Sequence, residues 1–442
     1  RFQYAHDNDL ASWIVKDILI NHHIRLIGQM TSIDGFFIGP LYYYLLVPFY
    51  FFSSGNPLSA TFLALSVSVL TILSIFYVFS KIFTQKVGLI GTLIYASSLS
   101  IVFIDRWVVP TQLTILWSTW FLFCLMKFID RDYKTLPILG FLLGSIWHIH
   151  IALLPLIALI PFSIFPFSFK KLRPKSLILF VIAFFALTSP FWIFEIRHDL
   201  KQINALFDFY NNAVSGEKTG LLRFREVLDG TSAAFSKIIF FSKNIPSLVT
   251  LPLFYLTCIM LILFKTIKRK QLVLIVLWTL VAVTAQQFSN RNLSDYYFNN
   301  LIIIGVLVIS LSLSRLLSTK NLKFLPPVFM AVFILYNLWT LLKTIPVEGY
   351  GQKKQVVQFI KADSTAKNFP CLGVNFVADF TKTAGYRYLY WYYNLNVVRP
   401  SEQIPVYNVA LPKSLFEKSD FIIGDFAVIS PDNKNYKEEV CS

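Results

Sequence analysis

Long apolar blocks alternate with short polar knots along most of the chain, and the blocks have the length that a bilayer requires. Ten of them, at 59–80, 87–104, 111–129, 136–150, 152–169, 176–194, 247–264, 272–288, 296–314 and 325–345, predict membrane helices. The stretch 136–169 needs a break, because one continuous helix there would run about 51 Å against a hydrocarbon core of roughly 30 Å. Trp147, His148 and His150 mark the turn, and Pro155, Pro161 and Pro166 oppose an ideal second helix. From 346 onward the pattern changes to short apolar stretches, QVVQFIK, CLGVNFV, YRYLYWYYNLNVV and DFIIGDFAVIS, divided by polar turns. The predicted fold is therefore a mainly α, polytopic transmembrane bundle over 1–345, followed by a small α/β or mostly β domain over 346–442.

Composition agrees with that pattern. With 55% hydrophobic and 14% charged residues and a mean hydropathy of +0.60, the chain has too little polar surface for a water-soluble fold, which would be nearer one quarter charged. The net charge of +16 is not spread evenly. The knots at 81–86, 127–134, 170–175, 265–271 and 315–323 hold sixteen Lys and Arg against only Asp130 and Asp132. The long segments 195–246 and 346–442 are close to balance, with seven basic and six acidic residues and with eleven and ten. This is the positive-inside signature, and it removes nucleic acid as the reason for the basic balance. The knots are placed in the cytoplasm; the long segments, and the carboxyl-terminal domain with them, lie outside. Both ends of the chain then lie outside, and at least one further amino-terminal helix is expected ahead of residue 1. Cys124 and Cys258 fall in spans and read as apolar fillers, while Cys371 and Cys441 share a compartment that permits a disulfide.

The first outer segment, 1–58, predicts an amphipathic helix over 10–20, with Trp13, Ile14, Ile18 and Leu19 available to the membrane surface. Two readings are open for its acids. Asn8 or Asp9 can cap that helix, and Asp7 or Asp9 can serve as a carboxylate base at the mouth of a cavity. Gly35, Gly39 and Pro40 then precede a dense aromatic run through Phe52. All six histidines fall on the outer side of this topology. His148 and His150, two residues apart, cannot share one helix face, and no zinc spacing such as HExxH occurs. No cofactor is indicated, and a divalent metal stays open. Glu195, Arg197, His198 and Asp199 follow one span, and Arg291, Asp295, Tyr296 and Tyr297 occupy another outer knot. Arg197, His198 or Arg291 could hold a leaving phosphate, the tyrosines could bond or stack on a sugar, and the same residues could be ordinary helix-end polar groups. Residues 211–230, with Gly216, Gly220 and Gly230, read as a loop able to cover a cavity or as an idle one.

The pieces HDNDLASWIVKDIL, TSIDGFFIGPLYYYLLVPFY, GSIWHIHIALLPL, SPFWIFEIRHD and SDYYFNNLI, in this order, resemble the bacterial membrane glycosyltransferases of the GT-C superfamily, the group with the protein O-mannosyltransferase-like and aminoarabinose transferase-like enzymes. The resemblance covers residues 2 to 345. It implies a bundle of eleven or more helices in the bacterial cytoplasmic membrane, a catalytic cavity at the extracytoplasmic face, a polyprenyl-phosphate sugar donor and inverting transfer that is metal-independent or weakly metal-linked. The acceptor would be a lipid, a glycan or a protein of the cell envelope, and membrane lipids would surround the bundle. A first-loop Asp is the base in such enzymes, which makes Asp7 and Asp9 the candidates, and Asp105 stands near where relatives carry a second acid. A transporter or flippase for an amphiphilic substrate is the competing expectation.

Overall fold

In the computed structural model, residues 2–165, 172–211, 220–241, 245–289, 293–344, 349–378, 383–432 and 441 are described. The helices follow in chain order: α1 (His6–Ile20), α2 (Leu41–Phe52), α3 (Ala60–Ile82), α4 (Gln85–Ser97), α5 (Leu99–Asp105), α6 (Thr114–Ile129), α7 (Leu136–Ile149), α8 (Leu159–Ile164), α9 (Pro174–Arg197), α10 (Lys201–Asn211), α11 (Gly220–Ile239), α12 (Ser247–Leu263), α13 (Arg269–Gln287), α14 (Asn299–Leu317), α15 (Leu325–Lys343), α16 (Tyr350–Ala366) and α17 (Arg387–Tyr392). Among the described residues each of the ten apolar blocks is helical at least in part, the block 152–169 only as a 3₁₀ segment and the six-residue α8. Among the described residues six helices are long and apolar enough to cross a membrane by themselves, and the bent pair α4–α5 makes a seventh. The protein is a multi-pass helical membrane protein with a small carboxyl-terminal sheet domain.

Burial separates the helices by role. In α14 nearly every residue from Asn299 to Leu311 is buried, so this helix, apolar on all sides, is the centre of the bundle. In α9, by contrast, only Phe194 and Glu195 are buried, and its long row of exposed Leu, Ile and Phe side chains meets lipid. The lipid-facing α9 is held to α7 by a small-residue seam. A Cβ on Gly140 would strike the Phe180 carbonyl and one on Gly144 the Phe184 carbonyl, so a four-residue glycine spacing lets the two backbones touch.

The predicted span 87–104 is broken. α4 and α5 meet at 72°, with Ser98 in an extended conformation between them. The backbone amide freed at Leu99 donates to Asn337 Oδ1 of α15 (2.8 Å), and Ser98 Oγ donates to the Ile238 carbonyl of α11 (2.8 Å). A break at membrane depth is tolerated because neighbouring helices supply those partners, and sequence periodicity carries no trace of them. The break in 136–169 falls where expected, at His150. It is followed by a 3₁₀ segment (Ile151–Ala158) that accommodates Pro155.

The basic knots meet at one end of the bundle, where Lys268 Nζ lies 2.8 Å from Asp130 and Arg315 sits over Phe264. Lys320 at that end and Lys201 at the other are both exposed, which makes the orientation testable. In intact cells an impermeant thiol reagent is expected to label Lys201→Cys and to leave Lys320→Cys unlabelled, since Cys124 and Cys258 are buried. The opposite pattern would reverse the topology.

The carboxyl-terminal domain packs α16 and α17 against four strands, β1 (Gly373–Ala378), β2 (Val406–Leu411), β3 (Phe421–Ile423) and β4 (Phe426–Ile429), in the order β1–β2–β4–β3. β1 and β2 are parallel, with α17 in the crossover; the other pairs are antiparallel. Cys371 and Cys441 form a disulfide, as an oxidising compartment allows.

The apolar face of α1 meets this domain and α2. Ala11, Ile14 and Val15 share one core with Tyr42, Tyr50, Val356, Tyr388 and Tyr407, and Trp13 contacts Tyr388 and Trp391. Lys16 lies 4.2 Å from the rings of both Trp13 and Trp391. The amphipathic helix expected at the membrane surface is thus the docking element for the outer domain. Its period was readable; its partner, more than 300 residues away, was not.

Candidate active site

α1 begins at His6, and Asn8 Oδ1 accepts from the Ala5 amide (2.9 Å), so Asn8 serves the amino-terminal end. This frees Asp9 from capping and turns it inward, 5% exposed, where its Oδ1 accepts from the Tyr388 amide (2.8 Å). Burial pushes its carboxyl up to about 6, against the opposing pull of that hydrogen bond and of Arg387 and Lys353. Asp9 belongs to the seam between α1 and the outer domain.

Asp7, two residues earlier on a different face, lines a cavity of about 690 Å³ at the end of the bundle opposite the basic knots. It makes no side-chain hydrogen bond or ion pair with another described residue. Burial raises its carboxyl above the usual range, and the nearby His6 pulls the other way. Tyr43 and Tyr296 are both close enough to feel its charge. The cavity walls are mainly apolar and aromatic, with Trp107, Trp147, Phe184, Phe191, His150, Tyr296 and Tyr297 among them and Gln29, Thr31, Ser32, Gln286 and Ser289 as further polar groups. A mostly apolar cavity with a few converging polar groups suits an amphiphilic ligand.

The loop 28–38 forms one wall. Gly28 donates to the Ile38 carbonyl (2.6 Å), Gly39 to the Trp147 carbonyl (3.1 Å), and Trp147 Nε1 to the Phe37 carbonyl (2.7 Å). A Cβ at Gly39 would collide with the His148 ring, so only glycine lets the loop approach α7. His148 itself bridges helices. Its Nδ1 accepts from the Leu41 amide (3.3 Å) and its Nε2 contacts the Leu187 carbonyl (2.8 Å), which leaves no ring nitrogen for the cavity.

Glu195, fully buried, accepts from the Gln202 and Ile203 amides at the start of α10 (3.3 and 3.1 Å) and from Gln202 Nε2 (3.1 Å). Gln202 Oε1 in turn accepts from the Phe37 amide (2.9 Å), so Glu195 steadies the cavity wall at second hand. Arg197 and His198, expected as phosphate contacts, are exposed and do not line the cavity; the His198 ring stacks on Phe194 at 4.1 Å. Asp105 lies in a different cavity, of about 440 Å³, where Tyr95 Oη donates to both its oxygens (2.8 and 2.9 Å). Arg291 lies outside the described residues, as does 212–219 of the expected loop, whose remainder from Gly220 is helical in α11.

Asp7, His150, Tyr296 and Tyr297 are the predicted residues that the structure does bring together. Sequence reasoning missed Arg223. It is 4% exposed, its Nη2 donates to the carbonyls of Gln286 (3.0 Å) and Ser289 (2.9 Å), and it thereby fixes the end of α13 where two cavity residues stand. A buried arginine bound to carbonyls leaves no local pattern in sequence. Among the described residues no three His, Cys, Asp or Glu side chains gather as metal ligands.

A polytopic helical bundle followed by a small α/β domain is an architecture with a solved counterpart. The fold matches the crystal structure of ArnT from Cupriavidus metallidurans bound to undecaprenyl phosphate, with a TM-score of 0.61 at 10% identity over 97% of this chain and 94% of that one. The apo structure of the same protein gives 0.60 at 11% identity over 98% and 94%. The likeness is one of fold, a mainly helical polytopic bundle with a small carboxyl-terminal domain, as the sequence pattern predicts. No family model and no curated protein sequence matches.

Proposed function

We propose that the protein transfers a glycosyl group from a polyprenyl-phosphate-linked donor to a cell-envelope acceptor at the extracytoplasmic face of a bacterial cytoplasmic membrane. The observation that carries this reading is Asp7, a carboxylate with no hydrogen-bond or ion-pair partner among the described residues, on the wall of a large, mostly apolar cavity. The fold adds support, since it is shared with a protein crystallised with undecaprenyl phosphate.

In this reading the apolar walls take the start of the lipid and the aromatic residues take the sugar. Asp7 accepts the proton of the acceptor hydroxyl or amine as that atom attacks the anomeric carbon. The bond from that carbon to the phosphate oxygen breaks, its electron pair leaves with the polyprenyl phosphate, and displacement from the opposite face inverts the centre. Tyr296 and Tyr297 offer the sugar hydroxyls and ring faces to bond and stack on. Asp9 serves to dock the outer domain.

The test is donor class. Purified protein is expected to transfer sugar from a polyprenyl-phosphate donor and not from a nucleotide sugar, and direct transfer from the nucleotide would overturn the reading. Movement of an intact lipid across the bilayer with no covalent product would favour the transporter instead.

A further inference from the structure

His150 ends α7 in an extended conformation, and its side chain turns back on its own chain: Nδ1 accepts from the Ala152 amide at 3.0 Å, capping the 3₁₀ segment. A nitrogen that accepts carries no proton. The imidazole in this position is therefore neutral with its proton on Nε2, since an imidazolium would set Nδ1–H against the Ala152 N–H.

Nε2 has no partner among the described residues, and the ring lies on the wall of the cavity that holds Asp7. The rings of Tyr296 and Tyr297 flank it at 5.3 and 5.2 Å, which fixes its plane. No Lys or Arg is among the described residues that line the cavity. A phosphate entering there meets few strong donors, and Nε2–H is one whose direction the backbone has set beforehand.

We propose that His150, as a neutral Nε2–H donor, binds the phosphate oxygen of the departing polyprenyl phosphate and stabilises the charge that gathers there as the glycosidic bond breaks. The proposal rests on the glycosyl-transfer reading above. It involves a hydrogen bond and no transfer of the Nε2 proton, so the phosphate leaves as the anion. A donor aimed in advance at developing charge needs no reorganisation during the reaction.

Two isosteres separate the jobs of the two ring nitrogens. In His150→Asn the amide oxygen stands where Nδ1 stood and keeps the cap, but the side chain no longer reaches the Nε2 position. In His150→Gln the amide nitrogen reaches the Nε2 position while the local cap is lost. Turnover with a polyprenyl-phosphate sugar is expected to fall about 10²-fold in the Asn variant, with thermal stability kept. The Gln variant is expected to stay within about tenfold of wild type in turnover and to melt earlier, as loss of a cap dictates. Changing the donor to a polyprenyl-pyrophosphate sugar, whose leaving group is less basic, is expected to narrow the gap between wild type and the Asn variant. A merely structural histidine would not respond to the leaving group.

Wild-type turnover in the Asn variant, or a defect that ignores the leaving group, would overturn the proposal and leave the transfer reading standing. Failure of the wild-type protein to use any lipid-linked donor would overturn both.

Discussion

Asp7→Asn is expected to lower transfer by roughly 10² to 10⁴, the range ordinarily lost with a positioned general base, while donor binding and folding stay near wild type. The expectation follows from what Asp7 lacks. It has no hydrogen-bond or ion-pair partner among the described residues, so the amide leaves no donor stranded and breaks no link in the fold. Because burial raises its carboxyl above the usual range, the acid limb of the kcat/KM profile should lie higher than for an exposed aspartate. The sign follows from the role: the base works ionised, so activity falls as pH drops through the raised value. The Asn variant should lose most of its rate and that limb together. Turnover within a few-fold of wild type in a correctly inserted Asp7→Asn protein would end the first-loop base hypothesis.

How far the sequence leads depends on the kind of order each feature has. Membrane helices carry their own signal, because every buried backbone group must be satisfied within the segment and the lipid demands a long apolar run. Nine of the ten blocks are accordingly helical over most of their length, while 152–164 is a 3₁₀ segment and a short helix. The bend at Ser98 was illegible, for it depends on Asn337, more than 200 positions away, standing ready to receive the Leu99 amide. The site divides in the same manner. Asp7, His150, Tyr296 and Tyr297 lie at helix ends opposite the basic knots, which the charge pattern alone identifies, and they converge on one cavity. Arg197 and His198 have equally suggestive identities and an equally suitable depth, but α9 turns them away from the cavity. Two acids in HDND look alike in sequence. Two residues of helix turn one toward the cavity and the other toward Tyr388, a partner in the last hundred residues that no local pattern names.

That separation gives Asp9→Asn an unusual expected result, a gain in stability at neutral pH with transfer retained within a few-fold. The Asp9 carboxyl titrates at about 6 in the folded protein against 3.8 for an unperturbed side chain. Between those values the folded state binds the proton more tightly than the unfolded state. The contribution is therefore fully favourable below about pH 4 and is lost as pH rises through 6. Above pH 6 the folded protein carries a buried charge that costs about 3 kcal/mol at 1.36 kcal/mol per pH unit. The Asn oxygen still accepts from the Tyr388 amide, while nothing charged is taken out of water. Lys353 keeps its Nζ bond to the Ala384 carbonyl (2.6 Å) and its place over Tyr386, so it is not stranded by the change. Thermal unfolding of the purified protein should show Asp9→Asn melting higher than wild type at pH 7.5, with the difference shrinking as pH falls toward 4. Asp9→Ala should go the other way, since it leaves the Tyr388 amide unpaired at a cost of about 1–3 kcal/mol. If Asp9→Asn instead melted lower at pH 7.5, the attraction of Lys353 and Arg387 for the ionised carboxylate would outweigh its desolvation. Loss of transfer in a stable, folded Asp9→Asn protein would move the base from Asp7 to Asp9 and make the seam with Tyr388 part of the chemistry.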